Sequence, residues 1–306
     1  MKKTILETTQ LSKKYGDFTA LSSINLSMEK GCIYGLIGKN GAGKSTLLKL
    51  LTGQAIPTSG EISLFGSSGE KLEQARNRVG AIVEYPAFYP ELSGRQNLEY
   101  YRIQKGIVEK NSVNRVLEQL NLLAIANKKF KTYSLGNKQR LGMALALLGN
   151  PDLLILDEPT NGFDPMGIIE IRQLLLELNQ KQQMTILISS HMLSELENII
   201  TRVGFIDKGC LIEELQMEDL QEKCQTYIEL NVDHAEKAVA ILEETLALTE
   251  YEVLPNQVIH VYGNKELIPR ISKVLNENEI AIYSINEKEV TLEDYFIQLV
   301  GGNKND

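Results

Sequence analysis

The sequence predicts an α/β fold, a mixed sheet core with a helical subdomain, followed by a small α+β domain of ferredoxin-like order. Three observations predict it. The short, almost wholly apolar runs CIYGLIG, LLILDEP and TILISSH suit strands buried on both faces of a parallel sheet. Between the last two, IIEIRQLLLELNQK is amphipathic with helical spacing, which makes a strand–helix–strand unit. From residue 216 the rhythm changes to short elements in the order β-α-β-β-α-β, the pattern of a split β-α-β fold.

In chain order, TILETTQL, TALSSINLSM and CIYGLIG read as strands, the third running into a glycine-rich loop. LLKLLTG spaces its leucines as a helix does and ends on Gly53, a C-cap. VGAIVEYPAFYP opens as a buried strand, turns acidic at Glu84, and becomes a loop rich in Pro and Tyr. Residues 95–148 read as helical, because LEYYRIQKG, NSVNRVLEQLNLL and KQRLGMALALLG each place apolar residues at i, i+3 and i+4. The helical subdomain covers about 90–150. In the tail, TYIELNV, YEVLPN, VIHVYG and IAIYSIN are strands, EKAVAILEETL and KELIPRISKVLN are helices, and LEDYFIQLV is a terminal helix. The expected domains are 1–215 and 216–306.

Composition is that of an ordinary globular chain: 306 residues, 43% hydrophobic and 24% charged, with room for two domains. No apolar run approaches the ~18 residues that span a bilayer. MKKTILETTQ has two lysines but no apolar stretch behind them, so no secretory leader is expected. Cys32, Cys210 and Cys224 are isolated, without metal or disulfide spacing, and are expected to be small buried hydrophobes in a reducing compartment. The net charge of −8 is uneven: from Leu211 onward there are 20 acidic and 7 basic residues, against 20 acidic and 25 basic before it. An acidic tail repels phosphates, so nucleic acid is not an expected partner.

The glycine-rich loop GKNGAGKS fits G-x-x-x-x-G-K-[ST] between a strand and a helix. Backbone N–H groups of Gly38, Lys39, Asn40, Gly41, Ala42 and Gly43 can converge on phosphate oxygens, and the helix opened by Lys44, Ser45 and Thr46 adds its dipole. Lys44 suits the β/γ-phosphates of ATP, and the Ser45 hydroxyl suits Mg²⁺. LLILDEP delivers Asp157 and Glu158 at the carboxyl end of an apolar strand, where open α/β sheets bind ligands. Asp157 would reach Mg²⁺ through its waters and Glu158 would polarise an attacking water; otherwise they are a solvated strand end. These two motifs by themselves specify only a phosphate-loop NTPase.

SLGNKQR places Ser134 and Gly136 immediately before a helix, which is a second anion cradle or simply a capped helix. One nucleotide cannot use two such cradles of one subunit unless they adjoin. A head-to-tail pair of chains solves this, with Ser134 and Gly136 of one copy closing over the γ-phosphate held by the other.

With these motifs in this order, residues 3–215 resemble the ATP-binding cassette (ABC) transporter ATPases. SLGNKQR is similar to the family's signature, keeping Ser134, Gly136 and Gln139 and departing at Leu135 and Asn137. The resemblance implies that Tyr15 stacks on adenine, that Asp164 in NGFDP lies in the loop between two active sites, and that His191 contacts the γ-phosphate. Tyr15 as a plain strand aromatic and His191 as a structural histidine are the alternatives. Glu84 stands where most members have a glutamine that touches Mg²⁺ or the attacking water, so it is a variant contact there or a surface carboxylate. IVEYPAFYPELSGRQNL and PTNGFDPMGIIEIRQLL resemble the subgroup that exports, or confers immunity to, peptide antibiotics such as bacitracin and lantibiotics. YPAFYPELSG falls where a short helix of the membrane subunit docks in that family, or is an ordered loop. The resemblance therefore implies a cytoplasmic ATPase, peripheral on the inner face of the membrane through a polytopic permease.

A soluble ABC ATPase serving ribosomes, DNA or cofactor assembly is the alternative. Ribosome-type members generally carry two cassettes and this chain has one phosphate loop; DNA-repair types insert a long coiled coil, and no long heptad run separates Lys44 from Gly136. A phosphate-loop kinase or GTPase has no use for SLGNKQR and His191.

Overall fold

The computed structural model describes residues 3–84, 87–224, 226–263, 265–289 and 292–301. The chain divides into two compact units, Met1–Met217 and Glu218–Asp306.

The first unit opens with β1 (Thr4–Tyr15) and β2 (Phe18–Glu29), a hairpin whose register ends at the Tyr15–Phe18 pair. β3 (Ile33–Ile37) is buried at every residue and leads through the phosphate loop into α1 (Lys44–Thr52), which stops at left-handed Gly53. β4 (Ser59–Leu64), α2 (Leu72–Arg76) and β5 (Val79–Ile82) follow. The helical subdomain holds α3 (Gly94–Gln104), α4 (Ser112–Gln119) and α5 (Leu135–Leu147). Its three helices fall on the three periodic stretches LEYYRIQKG, NSVNRVLEQLNLL and KQRLGMALALLG. Gly106 and Asn121 take left-handed φ of 66° and 56°, and these break the periodic pattern into separate rods.

β6 (Leu153–Asp157), α6 (Pro165–Gln182) and β7 (Thr185–Ser190) form the expected strand–helix–strand unit. β8 (Arg202–Asp207) and β9 (Cys210–Gln216) complete the unit. β4, β8 and β9 lie where no element is expected above. Each is short, and their polar residues blur the alternation that marks a strand.

Six strands run in the order β5-β6-β7-β3-β8-β9, parallel except for the antiparallel β8–β9 pair. A three-stranded antiparallel sheet, β2-β1-β4, lies in the same unit. One core joins them: Leu6, Leu11, Ile24 and Leu26 of the hairpin with Leu36, Ile155 and Leu187 of the parallel strands and Leu47 and Leu51 of α1.

In the second unit, α7 (Met217–Lys223) straddles the boundary and precedes β10 (Thr226–Val232), α8 (Ala235–Leu246), β11 (Tyr251–Leu254), β12 (Val258–Tyr262), α9 (Ile268–Glu277), β13 (Ile282–Glu289) and α10 (Leu292–Gly301). The strand order is β11-β12-β10-β13 with every neighbour antiparallel, two interleaved β-α-β units. Ile228, Leu230, Ile259 and Val261 point from one face of this sheet into a core shared with Ala238, Leu242, Ile271 and Leu275.

The cysteines do not behave as three buried hydrophobes. Cys210 is exposed, because it follows the left-handed turn residues Lys208 and Gly209 at the rim of the sheet, and Cys224 is half-buried. Cys32 is also half-buried, and its desolvation pushes the thiol up to about 11. Among the described residues no helix is long and apolar enough to cross a membrane.

Candidate functional site

β6, β7 and β3 are adjacent and parallel, so their carboxyl ends share one edge of the sheet. Neighbouring strands lie roughly 5 Å apart, which brings Asp157, His191 and the phosphate loop within side-chain reach across residues remote in sequence.

The loop itself is held from outside. Gly38 N–H donates to Ser190 O, and Ala42 O accepts from Gly209 N–H at 2.9 Å. Gly43 has φ of 111°, and a Cβ there would press on Leu21 Cδ2 at 2.8 Å, so only glycine fits the tight entry to α1. A cleft of about 370 Å³ opens over the loop, lined by Lys39, Asn40, Gly41, Gly43, Lys44, Ser45 and Thr46, with Glu158, Asn161 and His191 opposite. Gly38 and Ala42 are buried beneath it.

Lys44 is 5% exposed, and each of its three N–H protons has an acceptor: Gly38 O at 2.5 Å, Lys39 O at 3.3 Å and Glu158 Oε1 at 3.1 Å. The other Glu158 oxygen lies 2.7 Å from His191 Nδ1. A buried ammonium, a carboxylate and an imidazole thus form one chain beside the cleft, an arrangement able to bind phosphate and to take a proton from water. Glu158 has a left-handed backbone, φ 48°, which costs a non-glycine residue about 1 kcal/mol. Ser189 offsets this: its hydroxyl accepts from Glu158 N–H at 3.0 Å and donates to Asp157 Oδ1 at 2.6 Å. No sequence motif marks Ser189. Only the pairing of Asp157 with Ser189 across β6 and β7 reveals it.

Ser45, exposed on the first turn of α1, and Asp157 offer the hard oxygen donors that Mg²⁺ takes. No group of three His, Cys, Asp or Glu side chains could hold a metal among the described residues.

Glu84, also left-handed at φ 67°, is 68% exposed and is paired with Lys49 Nζ at 2.5 Å. Their hydrogen bond holds the Lys49 ammonium above its ordinary value. Glu84 lines a hollow of about 150 Å³ together with Gln139, Met143, Asp157 and Glu158. Tyr85 and Pro86 lie outside the described residues. Beyond them Tyr89 and Tyr100, both exposed, meet edge to face with ring centroids 5.0 Å apart.

Phe18, 66% exposed, stands in the wall of the phosphate cleft, and Tyr15, 49% exposed, is its partner across the hairpin. The two face each other across the Gly16–Asp17 turn, and the Tyr15 ring takes the Lys13 ammonium at 4.8 Å.

Ser134 caps α5, its hydroxyl accepting from Asn137 N–H at 3.3 Å. Asp164 caps α6, accepting from Gly167 N–H at 2.9 Å. Ser134, Gly136 and Asp164 share a separate cleft of about 380 Å³ with Leu135, Arg140 and Phe163. The structure brings Lys44, Glu158, His191 and the phosphate loop together in one cleft and places Ser134 and Gly136 in another, while Gln139 lines the hollow shared by Glu84, Asp157 and Glu158.

Residues 21–161 match the family model described as ABC transporter. The bacitracin transport ATP-binding protein BcrA of Bacillus licheniformis is 42% identical over 300 residues, covering 98% of each chain. The lantibiotic transport ATP-binding protein SrtF of Streptococcus pyogenes is 42% identical over 221 residues, 71% of this chain and 95% of that one. Among solved structures, a dimeric ATP-binding cassette in a post-hydrolysis state with ADP and Pi superposes with a TM-score of 0.64 at 25% identity, covering 70% of this chain and 99% of that chain.

Proposed function

This chain belongs to the ABC transporter family as an ATP-binding subunit that couples ATP hydrolysis to transport, and from that premise we propose how its residues divide the work and what it moves. The observation that carries the proposal is the Lys44–Glu158–His191 chain beside the phosphate loop.

ATP enters the cleft with its phosphates on the N–H groups of Asn40, Gly41 and Gly43 and the first turn of α1, because the N–H groups of Gly38 and Ala42 are already bonded to Ser190 O and Lys39 O. Tyr15, with Phe18 beside it, offers the base an aromatic face. Lys44 exchanges the Glu158 carboxylate for a β/γ-phosphate oxygen, a swap of one anion for another that keeps the buried ammonium paired. Glu158 is then free to accept the proton of an attacking water, and His191 orients that water against the γ-phosphate. Ser45 and Asp157 would hold Mg²⁺, which when bound neutralises charge on the transferring phosphoryl group. Glu84 stands at the rim of the same region with Lys49 as counterion. Glu84→Gln should raise the Mg²⁺ concentration needed for half-maximal turnover severalfold; an unchanged Mg²⁺ dependence would confine Glu84 to its ion pair.

The Ser134–Gly136 cradle serves a nucleotide held by a second copy of the chain, with Gln139 and Asp164 near that contact; its opening into a cleft other than the one over the phosphate loop supports this reading. The partner within the membrane is a polytopic permease, which places this subunit on the inner face of the bilayer. The exposed Tyr89–Tyr100 pair suits a short apolar helix of that permease. The full-length likeness to BcrA, and the cassette likeness to SrtF, support a peptide antibiotic as the transported substrate. Residues 216–306 form an accessory domain to the cassette at 1–215.

Cells carrying the chain and its membrane subunit should tolerate bacitracin or a lantibiotic better than cells carrying the Glu158→Gln form. Equal tolerance to every such peptide would remove the substrate assignment.

A further inference from the structure

Two consecutive serines end β7, and their hydroxyls go to different places. Ser189 serves Asp157 and the Glu158 backbone. Ser190, equally buried, accepts from Met192 N–H at 3.0 Å and donates its single proton to Met192 O at 2.9 Å, which leaves Glu195 Oε2, 3.4 Å away, as the weaker alternative acceptor. The same Glu195 oxygen receives the Thr160 hydroxyl at 2.6 Å, and Thr160 is 3% exposed. One carboxylate oxygen therefore joins the loop that follows Glu158 to the loop that carries His191.

Strand pairing cannot do this. The β6–β7 register ends at Asp157 opposite Ser189, one residue short of Glu158 and two short of His191. Past that point the spacing of the two loops depends on side-chain bonds, and bonds to an ionised acceptor are the strong kind. The segment bearing Glu195 is itself anchored to α6, where Arg172 Nη2 donates to Ser194 O at 3.1 Å.

We propose that Glu195 is a positioning residue for hydrolysis: by accepting from Thr160 it ties the Glu158 loop to the segment that follows His191, at the spacing that keeps the carboxylate 2.7 Å from the imidazole. This rests on the reading of Glu158 and His191 as the groups that act on water. Neither Glu195 nor Thr160 lines the nucleotide cleft, so their loss acts on the chemical step and leaves ATP binding alone.

The test uses the purified full chain. Thr160→Val removes one hydroxyl at constant shape, Thr160→Ser keeps it, and Glu195→Ala removes the shared acceptor. Thr160→Val and Glu195→Ala should each lower kcat by about tenfold or more with KM for ATP unchanged, as expected when reacting groups are misplaced by a fraction of an ångström. The double variant should be no slower than the slower single one, because both break the same link. Thr160→Ser should regain most of the rate lost in Thr160→Val. The proposal is overturned if Thr160→Val and Glu195→Ala keep the parental kcat while Glu158→Gln is inactive, if their losses multiply in the double variant, or if kcat falls only in proportion to the folded fraction seen by thermal melting. Parental turnover in Glu158→Gln would instead overturn the assignment of Glu158, and the positioning role with it.

Discussion

Replacing Glu158 by Gln lowers ATP turnover by about 10²–10⁴-fold, the range that a positioned general base contributes. The substitution is nearly isosteric, and its amide oxygen can still accept hydrogen bonds. Lys44 keeps its bonds to Gly38 O and Lys39 O, so the phosphate-binding cation stays in place and ATP still binds. A cleft that binds ATP without hydrolysing it holds the closed pair of chains together. The variant should therefore elute as a dimer with ATP and as a monomer with ADP. Single-turnover hydrolysis separates chemistry from release, and a parental rate there would assign the base to another group.

The second large effect concerns the sharing of the site between chains. Lys44→Ala removes the buried ammonium that answers both the phosphates and Glu158, and should abolish turnover. Gly136→Glu puts a carboxylate at the N-terminus of α5, where it would repel a phosphate. Space is available, since a Cβ at Gly136 meets only Phe163 at 3.6 Å, so the chain should fold. Each variant alone should be inactive. Mixed in equal amounts, they should recover roughly a quarter of the parental activity, because half of randomly paired dimers carry one intact composite site. No recovery on mixing, with heterodimers demonstrated, would mean that each chain completes its own site or that a dimer needs both.

Both effects rest on residues visible in the sequence, and the reason is local. A phosphate loop is a contiguous backbone shape, so GKNGAGKS declares itself through its glycines, its lysine and its flanking elements. LLILDEP declares itself in the same way, as an apolar strand ending in two carboxylates. The hairpin partner of Tyr15 is a different case. Phe18 reaches the cleft because of a two-residue turn and a register, and a pattern of residue types does not specify which of two facing aromatics does so. Glu84 shows the same limit. Its unusual position was legible, whereas its ion pair with Lys49 depends on how α1 sits beside the end of β5.

The sequence by itself determined the phosphate loop, the carboxylate pair, the signature segment and the two-part α/β and α+β plan, because each is written in contiguous residues whose backbone preferences and spacing are local. Only the tertiary structure decided that Ser189 braces Asp157 and Glu158 and that Thr160 donates to Glu195. Those facts follow from the order β6-β7-β3 and from strand registers, which bring together side chains more than thirty positions apart. Hydrogen-bond partners at such separations are selected by the packing of whole strands, and no window of sequence contains that information.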